Sequence, residues 1–448
     1  MSQLTELARG AVQRARELGA TDAECTLSLS EEFSASVRMR AVESVKQAGS
    51  RGAGIRVMLG KRPGSSYTSD LSPEGLETMV RAALDLAEIA TEDPHAGLPE
   101  PEELGQITTD LQLYDESIAR MDTDWKIEQA RRAEEAALST DPRIVNSEGA
   151  SFDTYLGNWI FANSRGFEGS YRSSSCSLSA VPVARQNGSM EKDYWHAAAR
   201  LASRLESAEE VGRRAAARAL RRLNPRKVST QKAPVIFEPR TARALLGELF
   251  EALSGTAIYR HASFLAGKLG EKIAADSVTI IDDATVPGLF GTAPFDDEGV
   301  ASRRTVVVER GVLQSYLLNT YTARKLGLKT TGNATRGIAG NAGVGPGNFH
   351  LTPGTKAEAE IVAGVRNGLY VTDLIGGGAN TVTGDYSSGA AGVWIENGEL
   401  AYPVSEITIA SNLMRMLMEV EEIGSELEFR SSIASPALLI REMTISGQ

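Results

Sequence analysis

His95, His196, His261 and His350 are the only histidines in this 448-residue chain, and Cys25 and Cys176 the only cysteines. No two histidines stand three or four residues apart, the spacing that sets two imidazoles on one helix face around zinc. Each therefore reads as a surface or hydrogen-bonded structural histidine. The cysteines form no CxxC pair. Cys176 sits in a serine-rich, strand-like stretch with no histidine near it in sequence, which favours a buried structural thiol over a nucleophile. No GxSxG elbow for a serine hydrolase is present. Phosphate-binding loops fail as well. Gly267-Lys268 lacks the upstream glycine and following hydroxyl of a P-loop, and Gly343-Val344-Gly345-Pro346-Gly347 has the wrong spacing for GxGxxG.

Four clusters keep two readings each. Asp282-Asp283 and Asp296-Asp297-Glu298 could hold Ca²⁺ or Mg²⁺, but their spacing matches no EF-hand loop, so solvated turns are favoured. Arg213, Arg214, Arg218, Arg221, Arg222, Arg226 and Lys227 could bind phosphate or an acidic partner. They lack interleaved aromatic residues for stacking bases, and Ala215, Ala216, Ala219, Leu220 and Leu223 supply a buried stripe, so a solvated helix face is favoured. The stretch LIGGGANTVTGDYSSGAAG at 374–392 reads either as tight turns between packed strands or as a place where another backbone, such as an added peptide strand, comes close.

The elements that must position these groups follow from periodicity. A helix with Leu4, Leu7, Val12 and Leu18 opens the chain and stops near Gly19. Alternating stretches at 23–29 and 33–39 and short ones at 54–58 and 67–69 predict strands, and a helix is expected over 73–89. Residues 91–117, rich in proline and acid, read as a surface connector. A helix over 124–138, strands within 145–183 and a helix over 208–223 complete the first part. Pro225 places a domain boundary at 224–232, giving expected domains 1–226 and 227–448. The second part predicts a strand at 233–237, a helix over 241–253, hairpins turning at Arg310-Gly311 and Asn397-Gly398, a helix over 411–423 and a last strand at 437–445. Helices and antiparallel strands without βαβ alternation predict an α+β fold: an N-terminal antiparallel sheet with helices, then a mostly antiparallel β-rich domain with flanking helices.

The net charge of −11 and pI near 5.2 argue against nucleic-acid binding by the whole surface. The absence of an apolar signal segment and of any apolar run of about 18 residues argues against export and membrane insertion, so a reducing cytoplasm is the expected location.

Four ordered blocks carry a resemblance. NTVTGDYSSGAAGVWIENGELAYPVSEITIASNL (380–413), SGTAIYRHASFLAGKLGEKI (254–273), GTAPFDDEGVASRRTVVVERGVLQSYLLNTYTARKLGL (291–328) and REMTISGQ (441–448) resemble the TldD/PmbA family, densely in the second half and more loosely in the first. The resemblance implies a peptidase complex of two kinds of chain. TldD members carry a zinc-binding HExxxH helix and a distal cysteine; PmbA, or TldE, members lack these ligands and pair with them. The complex is associated with degrading small or unfolded peptides and maturing peptide antibiotics, and the family also carries the name modulator of DNA gyrase. In this chain Gly247 and Ala252 align with the two motif histidines and Glu248 with the catalytic glutamate, while residues 425–448 contain no cysteine. A glutamate without a metal has no water to activate.

The expectation is thus a PmbA/TldE-type subunit with no cofactor of its own, zinc residing in an HExxxH-bearing partner. The resemblance favours a dimer, whether with that partner or as a homodimer of the isolated chain. Gly376, Gly377, Gly378, Asn380, Thr383, Gly384 and Asp385 are candidates for lining the peptide chamber, together with the 241–253 helix. Two rival readings stand: a lone metallopeptidase using Glu248 or the acidic clusters with a differently placed metal, and a non-proteolytic regulator of gyrase or another protein.

Overall fold

The computed structural model describes residues 2–447. The first half runs α1 (Ser2–Glu17), β1 (Asp22–Arg38), β2 (Ala41–Leu59), β3 (Arg62–Thr68), α2 (Pro73–Ile89), α3 (Glu116–Ala119), α4 (Thr123–Thr140), β4 (Ile144–Asn163), β5 (Glu168–Gln186), β6 (Ser189–Lys192), β7 (Trp195–Ala199) and α5 (Ala208–Leu220). Its strands form one antiparallel sheet in the order β3-β2-β1-β4-β5-β6, with β7 also on β5.

The pattern of β1 shows what builds this sheet. Ala23, Cys25 and Leu27 pack in a core with α1 and α2, while Val37, on the same face, packs in a second core with α4 and α5. Between the two cores Glu31 on this face is exposed, as is Glu32 on the opposite face. The predicted break at residues 30–32 is therefore a loss of apolar alternation inside a continuous strand, because β2 and β4 pair with it throughout. Helix α2 begins as its sequence dictates: Ser72 caps it by accepting from the Gly75 N–H, Pro73 fills the first turn, and Leu76, Met79, Val80, Ala83, Leu84 and Ala87 are buried.

The second half runs β8 (Gln231–Phe237), α6 (Pro239–Leu253), α7 (Gly255–Tyr259), β9 (Ile280–Asp283), β10 (Arg304–Glu309), β11 (Val312–Leu313), α8 (Thr320–Leu326), β12 (Ala334–Thr335), β13 (Gly343–Val344), β14 (Phe349–Leu351), α9 (Glu358–Ala363), β15 (Asn367–Ala379), β16 (Asp385–Glu396), β17 (Glu399–Asn412), α10 (Leu413–Met418), β18 (Val420–Ile423), β19 (Ile433–Ala434) and β20 (Leu438–Ser446). The main sheet has the order β17-β16-β15-β8-β20-β18, and β17 also pairs with β20, so five strands close on themselves. A smaller sheet, β11-β10-β9-β14-β19, packs against α6 through Phe250, whose ring meets Phe349 of β14 edge-on at 5.5 Å. The fold is α+β. Antiparallel pairing dominates, and among the described strands only β8–β15 and β14–β19 pair in parallel.

Three expectations change. The helix expected over 411–423 is shorter, because β17 continues to Asn412, which caps α10 by accepting from the Met414 N–H; β18 follows. The acidic clusters are not solvated turns. Asp282, Asp296 and Glu298 are buried, and loop backbone satisfies the second cluster: Asp296 accepts from the N–H groups of Glu298, Val300 and Ala334 at 2.9–3.0 Å, and Glu298 from that of Thr320. The basic helix is not wholly solvated either. Arg218 is buried, donating two hydrogen bonds to Glu238 at 3.1 and 2.7 Å.

The halves meet through charge as well as apolar surface. Glu24 of β1 is fully buried between Arg56 and Arg336, each 2.5 Å away. The 91–117 connector lies on the second half: Tyr321 Oη donates to Asp93 at 2.8 Å, and Arg324 donates to the Leu98 carbonyl and to Glu100.

Candidate functional site

Helix α6 has two faces. Leu245, Leu246, Leu249, Phe250 and Leu253 are buried, each contributing about 1.5–3 kcal/mol by leaving water. Arg240, Arg243, Ala244, Gly247, Glu248 and Glu251 are the residues of its solvent side. At ~100° per residue they share a face about 140° wide. Gly247, Glu248 and Glu251 open on a cleft of ≈ 680 Å³ whose other walls include Phe290, Gly291, Gly345, Pro346 and Ile433.

The structure brings Glu248 to the glycine-rich strand. Its Oε2 accepts from the Ala379 N–H at 2.9 Å. Burial pushes the Glu248 carboxyl above its ordinary value, and the Ala379 N–H opposes that only in part. Strand β15 pairs with β8 only over Leu369–Val371, so from Thr372 onward β16 is its single strand neighbour. The open edge of that stretch runs beside α6, tied at one end by Arg240 Nη2 donating to the Thr372 carbonyl at 2.7 Å and at the other by Glu248. Gly377 and Gly378 adopt φ of +78° and +129°; a Cβ on Gly377 would come to 2.2 Å of the Ser387 carbonyl.

Not every sequence candidate converges here. Ala252 is fully buried in the core, and Gly247 has no side chain. Asn380, Thr383, Gly384 and Asp385 form the β15–β16 turn, and their polar groups are spent on it. Asn380 Oδ1 accepts from the Val382 N–H, Thr383 Oγ1 donates to Asp385, and Asn412 Nδ2 donates to Asp385. Among the described residues, no group of three or more His, Cys, Asp or Glu lies close enough to hold a metal ion. Cys25 and Cys176 are buried and unbridged, and burial pushes both thiols up to about 12, so neither is a nucleophile at neutral pH.

A second cleft, which sequence reasoning misses, opens at the other end of α6. Arg240 and Arg243 line it with Arg218, Arg221, Arg430 and Glu238, in a volume of ≈ 540 Å³. Arg430 stacks on Trp195 with its guanidinium 3.8 Å from the ring centroid. The one sequence signal for this place is the basic run on α5, which supplies Arg214, Arg218 and Arg221.

With that geometry established, similarity to known proteins is extensive. Profiles for the PmbA/TldA metallopeptidase domain 1, central domain and C-terminal domain match residues 23–87, 116–223 and 230–447. The chain is 42% identical over 441 residues to Metalloprotease PmbA of Escherichia coli O157:H7, covering 98% of this chain and 96% of that one. It is 38% identical over 445 residues to a Metalloprotease PmbA homolog of Haemophilus influenzae, covering 99% and 96%. A solved Bacteroides thetaiotaomicron protein that carries the DNA gyrase modulator name superimposes with a TM-score of 0.93 at 31% identity over the full length of both chains. TldE from Thermococcus kodakarensis shares the fold, with a TM-score of 0.88 at 22% identity, covering 98% of this chain and 100% of that one.

Proposed function

The chain belongs to the PmbA/TldD metallopeptidase family, and from that premise we propose that it is the PmbA/TldE-type subunit of a peptidase complex, guiding peptide to zinc held by an HExxxH-bearing partner. One observation carries this reading. The helix that aligns with the metal-binding motif is intact and faces a cleft, yet Gly247 offers no donor atom and Ala252 only a methyl buried in the core. Glu248 alone remains, and it is engaged with the Ala379 N–H rather than free to activate water. The zinc that the family name implies does not fit the donors at these positions, and no step in this chain is routed through it.

What the residues do support is peptide holding. Between the contacts at Thr372 and Ala379, the edge of β15 from Asp373 to Gly378 leaves main-chain groups able to pair with an added strand, and the cleft beside α6 gives room for its side chains. Among the described residues no helix is long and apolar enough to cross a membrane; a cytoplasmic location is part of the same proposal.

The test is cleavage of an unstructured peptide by this chain, by an HExxxH-bearing family partner, and by both together. Turnover only in the mixture is the expected result. Chelator-sensitive turnover by this chain alone would overturn the reading and return attention to a metal site elsewhere.

A further inference from the structure

The solvent side of α6 is charged oppositely toward its two ends, and the exposed charge at each end, Arg243 and Glu251, has no ionic partner among the described residues. Arg243 donates to Ser431 Oγ at 3.1 Å and, among the described residues, has no carboxylate within 4.0 Å. Beside it Arg240 is paired with Asp193 and Glu238, and Arg430 with Glu206 and Glu428, which leaves Arg243 as the uncommitted guanidinium at this end. Eight residues on, Glu251 is exposed and has no cation within 4.0 Å among the described residues; Glu248 lies one turn before it on the same face. Eight helical residues span ~12 Å, the reach of roughly four extended residues at ~3.3 Å each. Between the charges the face is Ala244 and Gly247, both small, with the Ile433 side chain as the wall over Gly247.

We propose that this face binds short peptides in one direction, with the free C-terminal carboxylate at Arg243 and the free amino group at Glu251. The inference rests on the peptide-guiding reading above and adds to it a substrate class, peptides of about four or five residues with both termini free, and a polarity. An independent feature agrees with the polarity. Strand β15 runs from Thr372, beside Arg240, to Ala379, beside Glu248. A peptide held by its termini as described lies antiparallel to that open edge, the more common pairing sense. Carboxylate and guanidinium also match geometrically as paired donors and acceptors.

The test is isothermal titration of the full chain with penta-alanine in four forms: free, C-terminally amidated, N-terminally acetylated, and capped at both ends. On the unaltered chain each cap is expected to weaken binding about tenfold. In Arg243→Gln the amide and free-acid forms bind alike while the acetyl cap still costs affinity; in Glu251→Gln the reverse holds. Both residues are exposed, so these variants keep the fold, which a matched circular dichroism melt checks. Equal binding of all four forms, with turnover by the mixed subunits intact, would overturn the polarity and leave the guiding role standing. No binding of any form would overturn both.

Discussion

A side chain at Gly378 would stand where the Glu248 carboxylate already is: a Cβ there would come to 2.6 Å of Oε1. The glycine on β15 and the glutamate on α6 therefore fix each other, and the strand passes the helix closely only because one of the two has no side chain.

From this follows a contrast between neighbouring glycines. Gly378→Ala meets a movable carboxylate, so it should displace Glu248, cost about 1–3 kcal/mol from its positive φ, and lower turnover by the mixed subunits. Gly377→Val meets the Ser387 backbone at 2.2 Å and should distort the hairpin itself, with a larger loss of stability. Thermal melts of both variants, beside peptide turnover, measure the difference. Equal melting temperatures would contradict it.

Glu248→Gln preserves an oxygen for the Ala379 N–H and removes the charge. If the residue holds structure and guides peptide without acid–base chemistry, the mixed subunits should keep turnover within about threefold, because one hydrogen bond is retained. Glu248→Ala leaves the Ala379 N–H unpaired, and a loss of about 1–3 kcal/mol in stability is expected. A drop of about a thousandfold for the glutamine variant would instead mark a general base.

Glu24 sits between two guanidiniums in the joint between the halves. Burial alone would push its carboxyl up; Arg336 and Arg56 overcome this and hold it below its ordinary 4.5. Its stabilising contribution is thus present above that value and lost as pH falls through the lower folded one. Glu24→Gln leaves both arginines uncompensated and should cost about 3–5 kcal/mol in denaturant titration at neutral pH, with less acid sensitivity remaining.

Asp282 behaves oppositely. Burial raises it from 3.8 to about 7, against the hydrogen bond from Asn333 Nδ2 at 2.7 Å, and its Oδ1 has no hydrogen-bond partner. A raised acid binds more protons folded than unfolded, so its contribution is full below about 4 and lost as pH rises toward 7. Asp282→Asn imitates the protonated acid. As pH rises from about 4 to 7 the variant should gain progressively on the unaltered chain, reaching about 2–4 kcal/mol near the upper end in denaturant titrations.

How much of this is written in the sequence depends on the range over which each feature is decided. Helices α2 and α6 are legible because their apolar residues recur on one face and a proline marks each first turn. The hairpin at Asn397-Gly398 is legible because both residues take positive φ, 51° and 82°. The acidic clusters escape such a reading because each also has a partner remote in sequence, the Ala334 N–H of β12 for Asp296 and Asn333 Nδ2 for Asp282, which no local pattern announces. The α6 stripe is half legible: residue spacing places Arg243 and Glu251 on one face, but only the packing of β15 and of the segment at Ser431 shows which face stays open. The predicted chamber residues split for the same reason. Gly378 meets α6, whereas Thr383 and Asp385 meet Asn412 and serve the hairpin.

The carboxylate of Glu238 stands at the start of α6, yet three arginines hold it, and two of them, Arg218 and Arg221, come from α5 and its C-terminal cap in the first half. Mechanically, α5 and α6 are two levers pinned at one joint. A tilt of α5 would therefore pull first on the Glu238 contacts at the first turn of α6. On the peptide-guiding proposal, this joint would link the angle between the halves to the arginine end of the track.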